Sequence, residues 1–467
     1  MRVLAPSVLP YAIVFLMNIV AAEKRNGWEP APFMDAPPFG LDSTHTFGFA
    51  LRGKAYATTG NVRVKEFDFC GDCRNMTQEF RQSIWEEFSD AFYSYDPARG
   101  WTDLGPHPGG TRGFAQGDIM DRGTEREILY FGLGQTRSVT EKFPRWRFDS
   151  NGTYVLSPEA TSYPRLQDWW SFDGTNWTRL RDFPGIGRTH PAVSAEGGKV
   201  YVGMGYGELC PSVADPCAAN HNLGADADPR GKSSNLADVW VYDVATDSWE
   251  EAAPFPYPVH HPLHFGVPGA GSFFLGGHNG AVILDKVWRH NYFTKGEDSW
   301  TEMEPIPGVG RVAATQFVYK EKGYILGGET ASRENNLLEG FSNSEKNGML
   351  PPEEGVTYKE DHRSMATNEF LEYDPKTDSW TKLPSTPDAG SRWASSSFVL
   401  DEYAYNFQGV IRKGHYHFGN FTMVWPQQGY RIYLGELSKD NIAVSSTGKI
   451  STFLSVVMLG GCILMLQ

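Results

Sequence analysis

Five times along this 467-residue chain an aromatic residue beside a turn residue is followed, after a short gap, by Trp and then by Pro-rich sequence. The pairs are Tyr95-Asp96 with Trp101, Phe172-Asp173 with Trp177, Tyr242-Asp243 with Trp249, Asn291-Tyr292 with Trp300, and Tyr373-Asp374 with Trp380; the fourth departs from the rule. A basic residue follows each Trp at nearly fixed distance, Arg112, Arg188, His260 and Arg311 eleven residues on and Arg392 twelve. An alternating apolar strand comes next, then a second strand ending in small residues at Tyr130–Gly134, Tyr201–Gly205, Phe273–Gly277, Tyr324–Gly328 and Tyr405–Gly409. One such unit cannot bury both faces by itself, so the units must stack. The repeat absorbs a length that would otherwise imply two or three domains. Gly 50, Pro 30, Trp 14 and Tyr 21, without a long amphipathic stretch, make the expected fold all-β.

The pattern resembles the kelch motif of the galactose oxidase/kelch superfamily, which carries a Gly pair, a later Tyr and a later Trp in every repeat. Asp238 to Trp249 and Phe370 to Trp380 are close matches. The resemblance spans almost all of residues 23–438 and implies a kelch-type β-propeller, with six blades as the expected count. Gly permits close approach of neighbouring backbones, while Tyr and Trp fill the wedges between twisted sheets. The first blade takes its inner strands from Thr44–Ala50 and Lys54–Asn61, and the sixth begins at Arg392, with a third strand at Tyr430–Leu437. The sixth lacks a fourth strand at the C-terminal end. Trp28, followed by Pro30, Pro32 and Pro37, is expected to supply it, so that an N-terminal outer strand closes the ring.

Both ends point to export. Residues 1–22 carry Arg2, an apolar run from Val8 to Val20 and small residues at Ala21 and Ala22, the pattern of a secretory signal. Residues 439–467 join a polar linker to an apolar tail, Phe453 to Gln467, with no charge after it. This reads as a GPI-attachment signal, with Ser445 or Ser446 as the lipid attachment site and Asn441 as a second candidate; a retained short membrane anchor is the alternative. The expected address is the outer leaflet of the plasma membrane, or the medium if no lipid is attached. Cys70, Cys73, Cys210 and Cys217 form two close pairs and are expected as disulfides, Cys70 to Cys73 and Cys210 to Cys217 or crossed. Asn75, Asn151, Asn176 and Asn420 lie in glycosylation sequons. The net charge of −14 becomes −16 once Arg2 and Lys449 leave with the two ends, which disfavours nucleic acid as a partner.

Successive strands of a blade run antiparallel, so the start of the inner strand and the loop from second to third strand share one end. That end receives the long segments 62–89, 135–167, 207–237, 330–367 and 410–429. Long loops on a rigid scaffold are commonly binding elements. The same end gathers His45, Arg112, Arg188, His190, His260, His261, Arg311 and Arg392 around the channel mouth as candidate ligand-binding residues, suited to a carboxylate sugar or an acidic side chain. Any one of them can instead serve the repeat by bonding carbonyls that link the blades. His278, His415 and His417 are candidate metal ligands, but three or four must converge; neither a metal nor another cofactor is expected.

A tethered recognition module binding a glycan or a protein ligand is the leading expectation. The alternative is a carbohydrate-active enzyme. Sialic acid mutarotases of kelch type fit the expected blade count and export, whereas copper-radical sugar oxidases are echoed only by Tyr416-His417 and need a lone Cys. No nucleophile elbow, phosphate loop or zinc-protease helix signature occurs in the sequence, and no catalytic residue is assigned.

Overall fold

Six four-stranded antiparallel sheets stand around one axis in the computed structural model. It describes residues 27–34, 43–62, 87–136, 138–148, 154–162, 165–208, 233–279, 282–291, 298–308, 310–330, 365–387, 392–415, 420–424, 426, 428–435 and 437. From the axis outward, the first blade is Phe47–Leu51, Lys54–Thr58, Ala91–Asp96 and Gly100–Pro106. The second is Gln116–Met120, Ile128–Gly132, Trp169–Phe172 and Trp177–Arg179, and the third Ala192–Glu196, Lys199–Gly203, Val239–Asp243 and Ser248–Ala252. The fourth is Leu263–Val267, Gly271–Leu275, Val287–His290 and Trp300–Met303, and the fifth Thr315–Tyr319, Lys322–Leu326, Phe370–Asp374 and Ser379–Leu383. In the sixth, Ser396–Leu400, Tyr403–Phe407 and Tyr430–Tyr433 are completed by Glu29–Pro30. The closure expected from Trp28 is therefore present, with Glu29 opposite Arg431 and Pro30 opposite Tyr430.

Apolar burial joins the blades in pairs. Each of six hydrophobic clusters takes residues from two adjacent blades, as where Phe265 and Phe273 of the fourth meet Tyr373 and Trp380 of the fifth. No blade thus owns a core separable from its neighbours.

The recurring motif has a local physical reason. The Asp after the aromatic accepts amides of its own turn: Asp243 Oδ1 takes Ala245 N at 2.9 Å and Asp173 Oδ1 takes Thr175 N at 2.8 Å, an Asx turn. In the segment Asp-Ser-Trp, Asp and Trp together grip one residue of the preceding blade. Asp378 Oδ1 accepts from Glu304 N at 2.9 Å while Trp380 Nε1 donates to Glu304 O at 3.0 Å. Asp247 and Trp249 hold Arg181 in the same way, at 3.1 and 3.0 Å. Asp298 and Trp300 hold Ala253 likewise. Trp28 repeats the indole half of this grip on Pro384 O, at 2.7 Å, which marks it as the missing Trp of the sixth blade.

Two alignments expected from the sequence are corrected. Opposite Trp300 stands His290, not a member of the pair Asn291-Tyr292, so His290 occupies the aromatic position held elsewhere by Tyr95, Phe172, Tyr242 and Tyr373. The position of Arg112, Arg188, Arg311 and Arg392 is filled in the fourth blade by Val259, not His260, and in the first by Ser43. Backbone bonds fix that register: the Gly ending each second strand donates its N–H to this residue of the next blade. Gly60 donates to Arg112, Gly134 to Arg188, Gly205 to Val259, Gly277 to Arg311, Gly328 to Arg392 and Gly409 to Ser43, at 2.7–3.0 Å. These glycines have φ between +77 and +113°, and a Cβ at Gly134 would lie 2.4 Å from Gly113 O.

The signal-like residues 1–22, the tail 439–467 with Asn441, Ser445 and Ser446, the four cysteines, Asn75, Asn151 and His417 lie outside the described residues. Asn176 is exposed, in the turn before Trp177.

Candidate functional site

All six connections from second to third strand, five of them long, leave at the end where the inner strands begin, and among the described residues each starts as a β-ribbon. Asn61–Val62 pairs with Glu87–Phe88, Ser138–Phe148 with Tyr154–Ser162, and Tyr206–Glu208 with Ser233–Asn235. His278–Asn279 pairs with Val282–Ile283, Glu329–Thr330 with Met365–Ala366, and Ile411–His415 with Asn420–Val424. They form a crown around the channel mouth.

The eight expected ligand-binding residues divide into two groups under this crown. Arg112, Arg188, Arg311 and Arg392 are 0–1 % exposed and engaged inside the blades. Arg112 meets the Asp168 carboxylate at 2.6 and 3.1 Å, and Arg188 meets Asp238 at 2.7 and 2.8 Å while its Nη1 also donates to Met204 O. Arg311 pairs with Glu369 at 2.6 Å. Arg392 donates to Gln408 O at 3.1 Å and to Gln428 O, and burial draws its pKa down to about 10. Each guanidinium thus ties the start of its blade to residues bordering the second or third strand, and Arg112, Arg188 and Arg392 also bond backbone carbonyls, as the sequence allowed.

The histidines do the opposite and converge. Two residues after the arginine position, every blade has a residue in the left-handed region: His45, Phe114, His190, His261, Ala313 and Ala394, with φ of +54, +61, +50, +54, +49 and +51°. For a residue with a Cβ this conformation is unfavourable, and its recurrence in all six blades makes it part of the architecture. The amides join neighbouring blades, with His190 N donating to Phe114 O and His45 N to Ala394 O. The turn brings together rings far apart in sequence. The His45 ring lies 5.0 Å from His190, 5.8 Å from His261, 4.7 Å from Phe114 and 5.0 Å from Trp393, between centroids.

A second layer stands behind these rings. His260 Nε2 is 3.0 Å from His190 Nδ1, and His278 Nε2 is 3.3 Å from His261 Nδ1. His260 and His278 are paired through their backbones, N to O at 2.9 Å in both directions. Tyr206 lies 5.2 Å from the His260 ring, with the Arg165 guanidinium 5.2 Å from the Tyr206 ring. Burial, then the neighbouring imidazoles, push His190, His260 and His261 well below the ordinary histidine pKa, with Arg165 adding to the shift of the first two, so all three are neutral at pH 7. His278 joins this cluster, whereas His415 ends the ribbon Ile411–His415. Sequence reasoning missed Phe114, Trp393, Arg165 and Tyr206; the signal for the first was the fixed offset of two from Arg112.

The space at the histidine end is about 80 Å³, lined by His45, His190, His261 and Gln116 among others. A larger cavity of about 470 Å³ opens at the opposite end, lined by Asp118, Arg122, Glu127, His264, Gln316 and Lys320 among others. Its main charges are engaged internally. The buried Asp118 carboxylate accepts Ala195 N and Gly266 N at 2.8 and 2.9 Å and pairs with Arg122, and Lys320 meets Glu402 at 2.7 Å. Asp118 thereby serves inner-strand amides of two blades that have no ladder partner on the channel side.

Fold and sheet order define the chain as a six-bladed β-propeller. No protein-family model matches it, and no curated protein does. Among solved structures, that of YjhT is similar at 15 % identity, covering 82 % of this chain and 97 % of that chain with a TM-score of 0.48.

Proposed function

We propose that this propeller is a recognition module whose working face is the crowned end, where a glycan or protein ligand rests on the ribbons and places one group in the mouth formed by His45, Phe114, His190, His261 and Trp393. One observation carries the reading: five imidazoles and two aromatic rings from different blades meet at the end that also bears every long connection. The space of about 80 Å³ beside His45, His190 and His261 takes a single group of a ligand; sites that enclose a whole small molecule usually exceed ~300 Å³. Aromatic faces beside neutral hydrogen-bonding nitrogens suit hydroxyl-bearing ligands. Acid–base chemistry is less well served, because imidazoles held far below their ordinary pKa are weak bases. Export and lipid tethering at the cell surface complete the reading and rest on the two ends of the sequence.

The test is a glycan-array and protein-ligand screen with soluble propeller. Trp393→Ala with Phe114→Ala should weaken capture at least tenfold while the circular dichroism spectrum is unchanged. Capture that survives this double substitution, or that is lost only when Asp118 at the other end is replaced, refutes the assignment. Phosphatidylinositol-specific phospholipase release from intact cells tests the tether separately.

A further inference from the structure

Beyond recognition, we propose that His45, His190 and His261 are the ligands of a divalent first-row transition metal ion of imidazole preference, zinc or copper, with His260 and His278 as the residues that orient them. The three side chains come from the first, third and fourth blades, all at the same left-handed position of the repeat. Their ligand nitrogens all lie within 4.8 Å of one another. A tetrahedral site with metal–nitrogen bonds of about 2.0 Å places its nitrogens about 3.3 Å apart, within reach of modest ring rotations.

The bonding of the rings points the same way. His190 Nε2 and His261 Nε2 are buried and meet no hydrogen-bond partner among the described residues, a costly state for a polar atom that an ion would relieve. On the other side of each ring, Nδ1 has a partner: His260 Nε2 for His190, His278 Nε2 for His261, and Thr44 Oγ1, at 3.2 Å, for His45. Metal-bound histidines are characteristically held in this manner, with the second ring nitrogen donating to an outer group that fixes tautomer and direction. A different triplet, His260, His261 and His278, is also compact, but in it His260 Nε2 and His278 Nε2 already face His190 and His261. That leaves the inner triplet as the ligand set and the outer two as its supports.

Charge and size select the ion. Imidazole ligands without a carboxylate or thiolate in the set suit zinc, copper or nickel, whereas calcium and magnesium require oxygen ligands. The space of about 80 Å³ accepts an ion and a small fourth ligand. With Arg165 nearby and no anionic ligand in the triplet, that fourth ligand is favoured to be an anion, such as hydroxide or a carboxylate. The metal site itself does not depend on the recognition reading, because it is measured without any ligand.

The experiment uses the soluble propeller stripped with a chelator and titrated with Zn²⁺ or Cu²⁺ alone, followed by calorimetry and elemental analysis after gel filtration. About one retained equivalent is expected. His190→Gln with His261→Gln should weaken binding at least 100-fold, and His278→Gln about 10- to 100-fold through the lost orienting contact. His415→Gln with His417→Gln should leave it unchanged. Retention below one-tenth of an equivalent, or binding that survives the first pair and disappears with the last, overturns the proposal. Should the first pair fail to fold, Co²⁺-loaded wild type decides: visible bands of a tetrahedral nitrogen site support it, and a weak octahedral spectrum overturns it.

Discussion

A buried arginine at the start of a blade is worth its place only if its charge is answered, and the four examples answer it in two ways. Arg112, Arg188 and Arg311 meet a carboxylate, while Arg392 has carbonyl oxygens and the face of Tyr430 at 5.6 Å. Removing one partner of a buried pair leaves the other uncompensated, so Arg188→Ala should cost about 3–5 kcal/mol in urea unfolding. Adding Asp238→Ala should restore part of the loss; a double variant as unstable as the sum of both singles would show that the pair is not coupled. His290 gives a second residue-scale expectation. Packed between Tyr201 and Trp300, it is 3 % exposed, and burial lowers its pKa to about 4. Above pH 6.5 the group is neutral in folded and unfolded chains alike. Between 6.5 and about 4 the unfolded chain takes up a proton that the folded one refuses, so stability falls as pH falls, by about 1.4 kcal/mol per unit for this one group. His290→Tyr restores the aromatic found in the third and fifth blades, where Tyr242 and Tyr373 bond Asp247 and Asp378. Thermal melts between pH 4 and 6.5 should become less steep by roughly that amount, and an unaltered slope would assign the acid sensitivity elsewhere, to His264 for instance.

At the scale of the strand, the N-terminal segment acts as a latch. Trp28 donates to Pro384 O and meets the Phe370 ring edge-on at 5.5 Å, while Ala31 N bonds Gly429 O at 2.8 Å and Tyr95 donates to Pro32 O. Trp28→Ala should lower stability by about 2 kcal/mol, below the 3–5 typical of a fully buried Trp, because the ring is only partly covered. Loosening it also bares the edge of Tyr430–Tyr433, so light scattering should report faster aggregation. If neither changes, the latch is held by its backbone alone. This element was legible in the sequence because Trp, Tyr and Gly occupy positions whose chemistry is local: an indole reaching a carbonyl, a glycine where a Cβ would collide. The fourth blade was not read correctly for the same reason inverted. His290 and Val259 keep the packing and the backbone bond but change the side chain, and counting residues from Trp249 then lands on His260.

For the whole molecule, the ring decides what is shared. Spacing along the chain indicated which residues begin each blade, and the eight candidates do lie at that end. It could not separate side chains directed into a blade from those directed at the axis, since that choice is made by a two-residue step into the left-handed region. Hence arginines and histidines of neighbouring positions have opposite surroundings, Arg188 tied to Asp238 and His190 facing His45. The latch strand carries one more implication. Glu29 leaves the ribosome some four hundred residues before its partner Arg431, and nothing built in between can take its place. Until Tyr430–Tyr433 has been made the nascent propeller is an open arc with two unsatisfied rims, so the final step of its folding is an encounter between its first and last strands and becomes the moment at which helper proteins, or a neighbouring copy's strand, could intervene.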